Sequence, residues 1–463
     1  MFFKQKYPIF LNILFALVIL TLAGFGCKGG NSEAINKASE KITLNWWRVQ
    51  GKAGDLKDIT TEYKNLHPNV SVNIKILRSE ELEQNLLEAL ASGVGPDIVS
   101  LPNTHLAGWQ DKLTALPPTL TLPTTEISGW LKKEAKTVLK TNSTLNLREL
   151  RETFVDTVAT DSVINNKIFG LPLSFDSLLL YYNRDLLNVA DIPTPPLTWS
   201  EFSEAVTRLT KLDKQGKIVQ SGAAIGEATN VPYAADILAA LMLQNGTPIV
   251  DDKNSSAAFA KIINRGGEEF APGADALRFY TDFASPAKET YTWSRDESSA
   301  FESFTSGKTA FVFGLWQDRN LIKTLSPKLN FEVTNFPQLD TTGKPIYYAK
   351  YYIETVTKQS KHPSEAWDLL LFVSKSAQIN KYLTAAKVPT AHRSQVSKQL
   401  DDLDLAIPAK QILTARSWYH GYKPKLAWDG LASMIHQLNA GAEIEAVLQF
   451  GAAQVTQSLQ KPK

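Results

Sequence analysis

Few residues in this chain have types and spacing suited to chemistry. Asp176 lies in FGLPLSFDSLLLYYNRDLL (169–187), an acid among apolar neighbours. A buried carboxylate is costly unless paired or hydrogen-bonded, so three roles are open to it: catalytic acid, ligand contact, or structural carboxylate held by backbone N–H groups. Ser306-Gly307-Lys308-Thr309 resembles the end of a phosphate loop, but Glu302 stands where that loop needs a glycine, and a helix precedes it rather than follows. The six His are scattered without an HExxH, and a single Cys precludes a Cys-based zinc site. No GxSxG occurs. Paired carboxylates for glycoside hydrolysis need only spatial proximity, and no local motif supports them.

The remaining chemical resource is aromatic: ten Trp, 14 Tyr and 21 Phe. Such rings fill cores, and they also stack flat apolar faces. The elements that would position them follow from patterning. ITLNWWRV reads as a first strand, on which Trp46 and Trp47 point to opposite faces, so one of them belongs to the core. Leu56, Ile59, Tyr63 and Leu66 recur at helical spacing, His67-Pro68-Asn69 turns the chain, and Val70, Val72, Ile74 and Ile76 alternate as a strand. Ser79 is expected to cap a helix with Glu80 and Glu81 in its first turn and Leu82, Leu86, Leu87 and Leu90 as its buried stripe. Gly93 and Gly95-Pro96 stop it, and Asp97–Leu101 is a further strand. This alternation predicts a parallel sheet with crossover helices.

Further along, Thr198–Glu201 and Ser294–Glu297 fit capping boxes, Thr309–Phe313 a strand behind Gly307, and 363–374 an amphipathic helix. At 463 residues the chain exceeds one ordinary domain. Hydrophobic residues make up 43% and charged residues 21%, the balance of a packed protein. A net charge of +2 with interleaved signs lacks the basic face of a nucleic-acid binder.

The N-terminus carries Lys4 and Lys6, an apolar core from Ile9 to Ala23, then Gly24-Phe25-Gly26 before Cys27. It resembles a bacterial lipoprotein signal over 1–27, departing from it at Gly24, where Leu is usual. Cys27 would be lipidated and become the mature N-terminus. The alternative is an uncleaved membrane anchor. Residues 28–41 (KGGNSEAINKASEK) read as a flexible tether.

Five stretches, in order over about 42–393, carry a resemblance: ITTEYKNLHPNVSVNIKIL, LLEALASGVGPDIVSLPN, KIFGLPLSFDSLLLYYNRDLLNVADIPTPPLTWSEFSEAV, SAFESFTSGKTAFVFGLW and HPSEAWDLLLFVSKSAQINKYLTAAKVPT. Together they resemble the family 1 extracellular solute-binding proteins of ABC transporters, of the maltose-binding-protein type. The resemblance implies an α/β, two-lobed periplasmic-binding-protein-like fold (type II), each lobe a mostly parallel sheet flanked by helices, joined by a hinge. It would divide the chain into an N-terminal lobe, 42–174 with 337–399, and a C-terminal lobe, 175–336 with 400–463. The chain departs from the family at PIYYAKYY (345–352), where small, Gly-rich residues are usual on a cleft-facing strand.

The function so implied is non-enzymatic: capture of a solute, in particular an oligosaccharide, by a monomer tethered to the membrane, for delivery to ABC permease subunits. No cofactor is implied, and the sequence is silent on calcium. A secreted carbohydrate-active enzyme and a surface sensor or adhesion protein are the alternatives. Ligands of open α/β sheets lie at strand C-terminal ends. That places Trp47, Arg48 and Gln50 after the first strand, and Asn103, Thr104 and His105 after Asp97–Leu101, among the candidates. The resemblance adds Asp176, Asn230, Tyr233, Trp316 as a stacking ring, Tyr348, Tyr351 and Trp428, with Trp418, Tyr419 and His420 able to serve in place of Trp428.

Overall fold

The computed structural model describes residues 40–128 and 134–462. The signal segment, Cys27 and residues 28–39 of the tether lie outside the described residues. Eleven of the described strands build two main sheets: β1 (Ile42–Arg48), β2 (Val70–Ile76), β3 (Ile98–Pro102), β4 (Leu113–Thr114), β5 (Gly170–Leu171), β6 (Leu179–Asn183), β7 (Lys211–Leu212), β8 (Ile218–Ala223), β9 (Thr309–Gly314), β10 (Phe331–Asn335) and β11 (Tyr352–Thr357). The first sheet has the order β2-β1-β3-β11-β4, with β5 also paired to β11, and the second has the order β7-β8-β9-β6-β10.

The predicted alternation on β1 holds: Leu44 and Trp46 are fully buried, while Trp47 packs only partly on a smaller cluster around Leu86 and Leu101. Both sheets are more mixed than the alternation of strands and helices predicts. β1 is parallel to β2 and β3, and β8 to β9. β11, however, is antiparallel to β3, β4 and β5, and β6 is antiparallel to both β9 and β10. β6 and β11 are the strands by which the chain enters a sheet after leaving the other one. β6 opens its sheet and β11 joins the first one late, each reached by a crossing segment rather than a covering crossover helix, so nothing imposes parallel pairing.

Helices cover the sheets. Ser79–Ala91 buries Leu82, Leu86 and Leu90. Leu87 leaves the predicted stripe and is 44% exposed, because the strict i, i+4 run of the other three defines the inward face. Arg78, not Ser79, stands at the N-cap, with no side-chain cap. The Thr198 box forms as expected: Glu201 N–H donates to Thr198 Oγ1 at 3.2 Å, and Thr198 N–H to Glu201 Oε2 at 3.1 Å. The Ser294–Glu297 box does not cap a helix. The helix there is Ala300–Thr305, and the Ser294 and Glu297 carbonyls instead accept from Asn230 Nδ2. PIYYAKYY is likewise not one strand. Tyr347–Tyr348 pairs in parallel with Ala415–Arg416, and the chain breaks at Ala349–Tyr351 before β11.

Candidate functional site

Between the two lobes lies a cavity of about 560 Å³. Its first wall begins where β3 ends: a short turn, Asn103–His105, carries Thr104 and His105 to the rim, with Trp109 just beyond and Tyr352 from β11 beside them. Helix Ser79–Ala91 adds Ser79, Leu82 and Glu83. The opposite wall comes from the turn after β9 (Leu315, Gln317, Asp318), from Tyr233 at the N-cap of helix Ala234–Gln244, and from Trp428 near the start of helix Pro424–Asn439. Tyr351 and Lys350 line it from the break in PIYYAKYY. Strand ends and helix starts thus converge on one space, as open α/β sheets dictate.

Hydrogen bonds hold these walls. Tyr351 hydroxyl donates to Asp161 Oδ2 at 2.8 Å, and its ring stacks on Phe175 with centroids 4.6 Å apart. Tyr233 hydroxyl donates to Asp318 Oδ2 at 2.9 Å, where Leu315 N–H also donates at 2.7 Å. Burial pushes the Asp318 carboxyl up, against those two donors and the Lys350 charge. Burial, with Lys350 nearby, holds His105 down to about 4, so its ring is neutral at physiological pH. Trp428 is stacked on Trp418, 5.4 Å between centroids, and its indole donates to Asp236 Oδ1 at 2.8 Å.

A second chamber of about 390 Å³ adjoins the first across Gln317, which lines both. Gln50, Asp176 and Trp316 line it. Gln50 Nε2 donates to Gln317 Oε1 at 2.9 Å, bridging the lobes between the chambers. Asp176 accepts from three backbone N–H groups: Ser177 and Trp316 at 2.9 Å and Gln317 at 3.3 Å. Burial pushes its carboxyl up to about 8, opposed by those hydrogen bonds and reinforced by Asp318. The Trp316 indole donates to Lys387 O at 2.8 Å, and one ring face lies under Arg319, 5.0 Å from its centroid.

The sequence-derived candidates therefore divide. Thr104, His105, Tyr233, Tyr351 and Trp428 meet at the larger cavity, and Gln50, Asp176 and Trp316 at the second chamber. Five line neither. Arg48 is 1% exposed and bonded to Glu354 (3.3 Å) and Tyr382 (3.0 Å). Asn103 is buried and donates to Asp161 at 2.9 Å. Asn230 joins Trp293 to the Ser294–Glu297 turn. Tyr348 is buried, its hydroxyl pushed well up by burial and by Asp236 beside it. Trp47 lies under Lys75, 4.7 Å from its ring centroid.

Trp109, Gln317, Asp318, Lys350 and Tyr352 are wall residues that the sequence did not single out individually. Lys350 and Tyr352 lie within the flagged PIYYAKYY, and Gln317 and Asp318 directly follow Trp316. Trp109 carried no signal at all. Among the described residues, no group of three or more His, Cys, Asp or Glu is placed to hold a metal ion.

A model of the bacterial extracellular solute-binding protein family matches residues 49–386. The galactooligosaccharide-binding protein of Bacillus subtilis (strain 168) is 21% identical over 393 residues, covering 83% of this chain and 80% of that one. The maltodextrin-binding protein MdxE of the same organism is 25% identical over 303 residues, covering 63% and 66%. In three dimensions the chain is similar to the cyclic alpha-maltosyl-1,6-maltose binding protein from Arthrobacter globiformis, with a TM-score of 0.69 at 16% identity over 90% of this chain and 99% of that one. That likeness shows the fold: two α/β lobes of the type II periplasmic-binding kind. With the match spanning β2 through β11 and both walls of the cavity up to residue 386, the chain belongs to the bacterial extracellular solute-binding protein family.

Proposed function

We propose that this protein captures a carbohydrate, in particular an oligosaccharide, outside the cytoplasm and delivers it to an ABC importer by closing its lobes. The observation that carries this reading is the cavity of about 560 Å³ walled by aromatic rings from both lobes: Trp109, Tyr351 and Tyr352 on one side, Tyr233 and Trp428 on the other. Sugars offer apolar C–H faces and a rim of hydroxyls, and such a mixed wall suits both. The names of the relatives, which bind galactooligosaccharides and maltodextrins, support the same class.

In this reading Thr104, Tyr233, Tyr351 and Trp428 contact the sugar, and Gln50, Asp176 and Trp316 serve the second chamber. Trp47, Arg48, Asn103, Asn230 and Tyr348 support the walls. The lobes are 42–174 with 337–399 and 175–336 with 400–463, moving about the segments that join them. The chemistry is non-covalent throughout. Cys27 carries the lipid anchor, 28–41 the tether, and the protein acts as a monomer. Among the described residues no helix is long and apolar enough to cross a membrane.

A thermal-shift screen against oligosaccharides tests the reading, since a ligand of the native state raises its stability. Trp428→Ala should weaken binding about tenfold, as stacking and its burial are together worth roughly 1 kcal/mol or more. Unchanged affinity removes Trp428 from the site, and release of cleaved sugar on incubation would replace transport by catalysis. Cys27→Ser should free the protein from the membrane; a variant still lipid-labelled would refute the anchor.

A further inference from the structure

The departure at PIYYAKYY puts a cation into the cavity. Lys350 is held through its main chain on both sides. Its own N–H donates to Asp176 O at 3.0 Å, while Ala349 N–H donates to Arg416 O at 2.9 Å and Tyr351 N–H to Asn103 Oδ1 at 3.3 Å. The side chain, 35% exposed, lines the cavity and donates to Asp236 Oδ2 at 2.7 Å. Its Nζ stands 5.3 Å from the Tyr233 ring centroid and 5.8 Å from that of Trp428. Asp236 is buried beneath, on helix Ala234–Gln244, and Trp428 donates to its other oxygen at 2.8 Å. Both carboxylate oxygens are thus engaged, and the ammonium is matched by one acid and two rings. An ammonium has three N–H donors, so capacity remains for a solute.

The cavity carries other charges. Lys425, largely exposed, pairs with Asp429 at 2.6 Å. Asp318 accepts from Tyr233 and Leu315, Glu83 stands on the first wall, and His105 is neutral. A solute carboxylate entering here meets cations that already have partners and two acids on the walls. Unfavourable charge contact of this kind is how a site rejects a competitor. A hydroxyl needs only a donor, and a lysine with its own counter-ion supplies one without calling for further charge.

We propose that the Lys350–Asp236 pair makes Lys350 a fixed hydroxyl donor and sets the cleft to take uncharged oligosaccharides and reject those bearing uronic acids, a specificity that rests on the sugar-import reading above. Titration calorimetry tests it with neutral gluco-, galacto- and manno-oligosaccharides against oligogalacturonates of matched length. A neutral set should bind, with the matched galacturonate weaker by about tenfold or more. Lys350→Met, which keeps the apolar stem, should lower the affinity for that neutral sugar about tenfold, the scale of one charge-assisted hydrogen bond, measured below its melting midpoint, which should itself fall because buried Asp236 loses its cation. Asp236→Asn, which keeps the shape but leaves the lysine unmatched, should narrow the gap between neutral and acidic sugars. Equal binding of both sugar classes by the wild type, or full affinity in Lys350→Met, would overturn the proposal. If no carbohydrate binds the wild type, the sugar-import reading itself fails, an outcome distinct from neutral and acidic sugars binding alike.

Discussion

Arg48 holds a charge that cannot reach water. Its guanidinium pairs with Glu354, which also accepts from Trp46 Nε1 and Ser100 Oγ at 2.7 Å each, and it lies 5.0 Å from the Tyr382 ring centroid. Losing one partner of such a pair strands the other. Arg48→Ala is therefore expected to cost about 3–5 kcal/mol in chemical denaturation. Arg48→Met combined with Glu354→Leu, which removes both charges, should recover most of that loss. A small effect of Arg48→Ala on stability with a large one on solute affinity would instead place it in the site. Asp176 makes an opposite kind of prediction. Its carboxyl sits at about 8 when folded, above its ordinary value of 3.8, because burial outweighs its three N–H donors. Between those values the native chain binds the extra proton, so its contribution to stability falls as pH rises through that interval. The wild type should melt progressively lower from pH 5 to 8 than Asp176→Asn, measured relative to each protein at pH 5. Parallel slopes would show the carboxyl to be ionised throughout.

Among the elements, the Trp199–Leu209 helix shows how local chemistry and burial agree. Thr198 and Glu201 satisfy its first N–H groups, and Trp199, Phe202, Ala205, Val206 and Leu209 form the buried face. Thr198→Ala should cost about 1 kcal/mol in equilibrium denaturation, the usual worth of a capping side chain. An unchanged midpoint would mean that packing alone holds the helix start. The Ser294–Glu297 stretch had the same sequence signature and did not become a cap. There Asn230 claims the carbonyls of the turn, and Trp293 Nε1 donates to Asn230 Oδ1 at 2.9 Å, so a contact 63 residues distant in sequence outweighs the local preference. The same holds for PIYYAKYY, whose β-rich composition spans two separate pairings because Ala415–Arg416 captures one half and the first sheet the other.

For the molecule as a whole, the turn after β9 is one place where the lobes meet directly. Trp316 donates across to Lys387 O, and Gln50 to Gln317. Lys387 ends helix Ser376–Ala386 with φ +53°, a left-handed conformation that non-glycine residues seldom adopt. Trp316→Phe keeps an aromatic ring but removes the N–H donor. The loss of one such bond, about 1 kcal/mol, should shift the balance between lobe arrangements severalfold toward separation. Small-angle scattering without sugar would register that as a larger radius of gyration, and an unchanged radius would show that the bond does not govern lobe spacing.

The amino-acid sequence by itself determined the strand–helix order from β1 through β3, the inward face of β1 and most of that of helix Ser79–Ala91, and family membership, because periodicity and turn residues act over a few positions. It also narrowed the site to loops after strands. Only the tertiary structure decided which of those residues meet. Arg48 and Asn103 are drawn inward by Glu354 and Asp161, residues 306 and 58 positions away, while Lys350, unremarkable on its own, is carried to the cavity by the break before β11 and fixed there by Asp236, 114 positions earlier. Side-chain direction and charge pairing depend on partners brought together by the crossing of the chain between two sheets, and no local pattern encodes those partners.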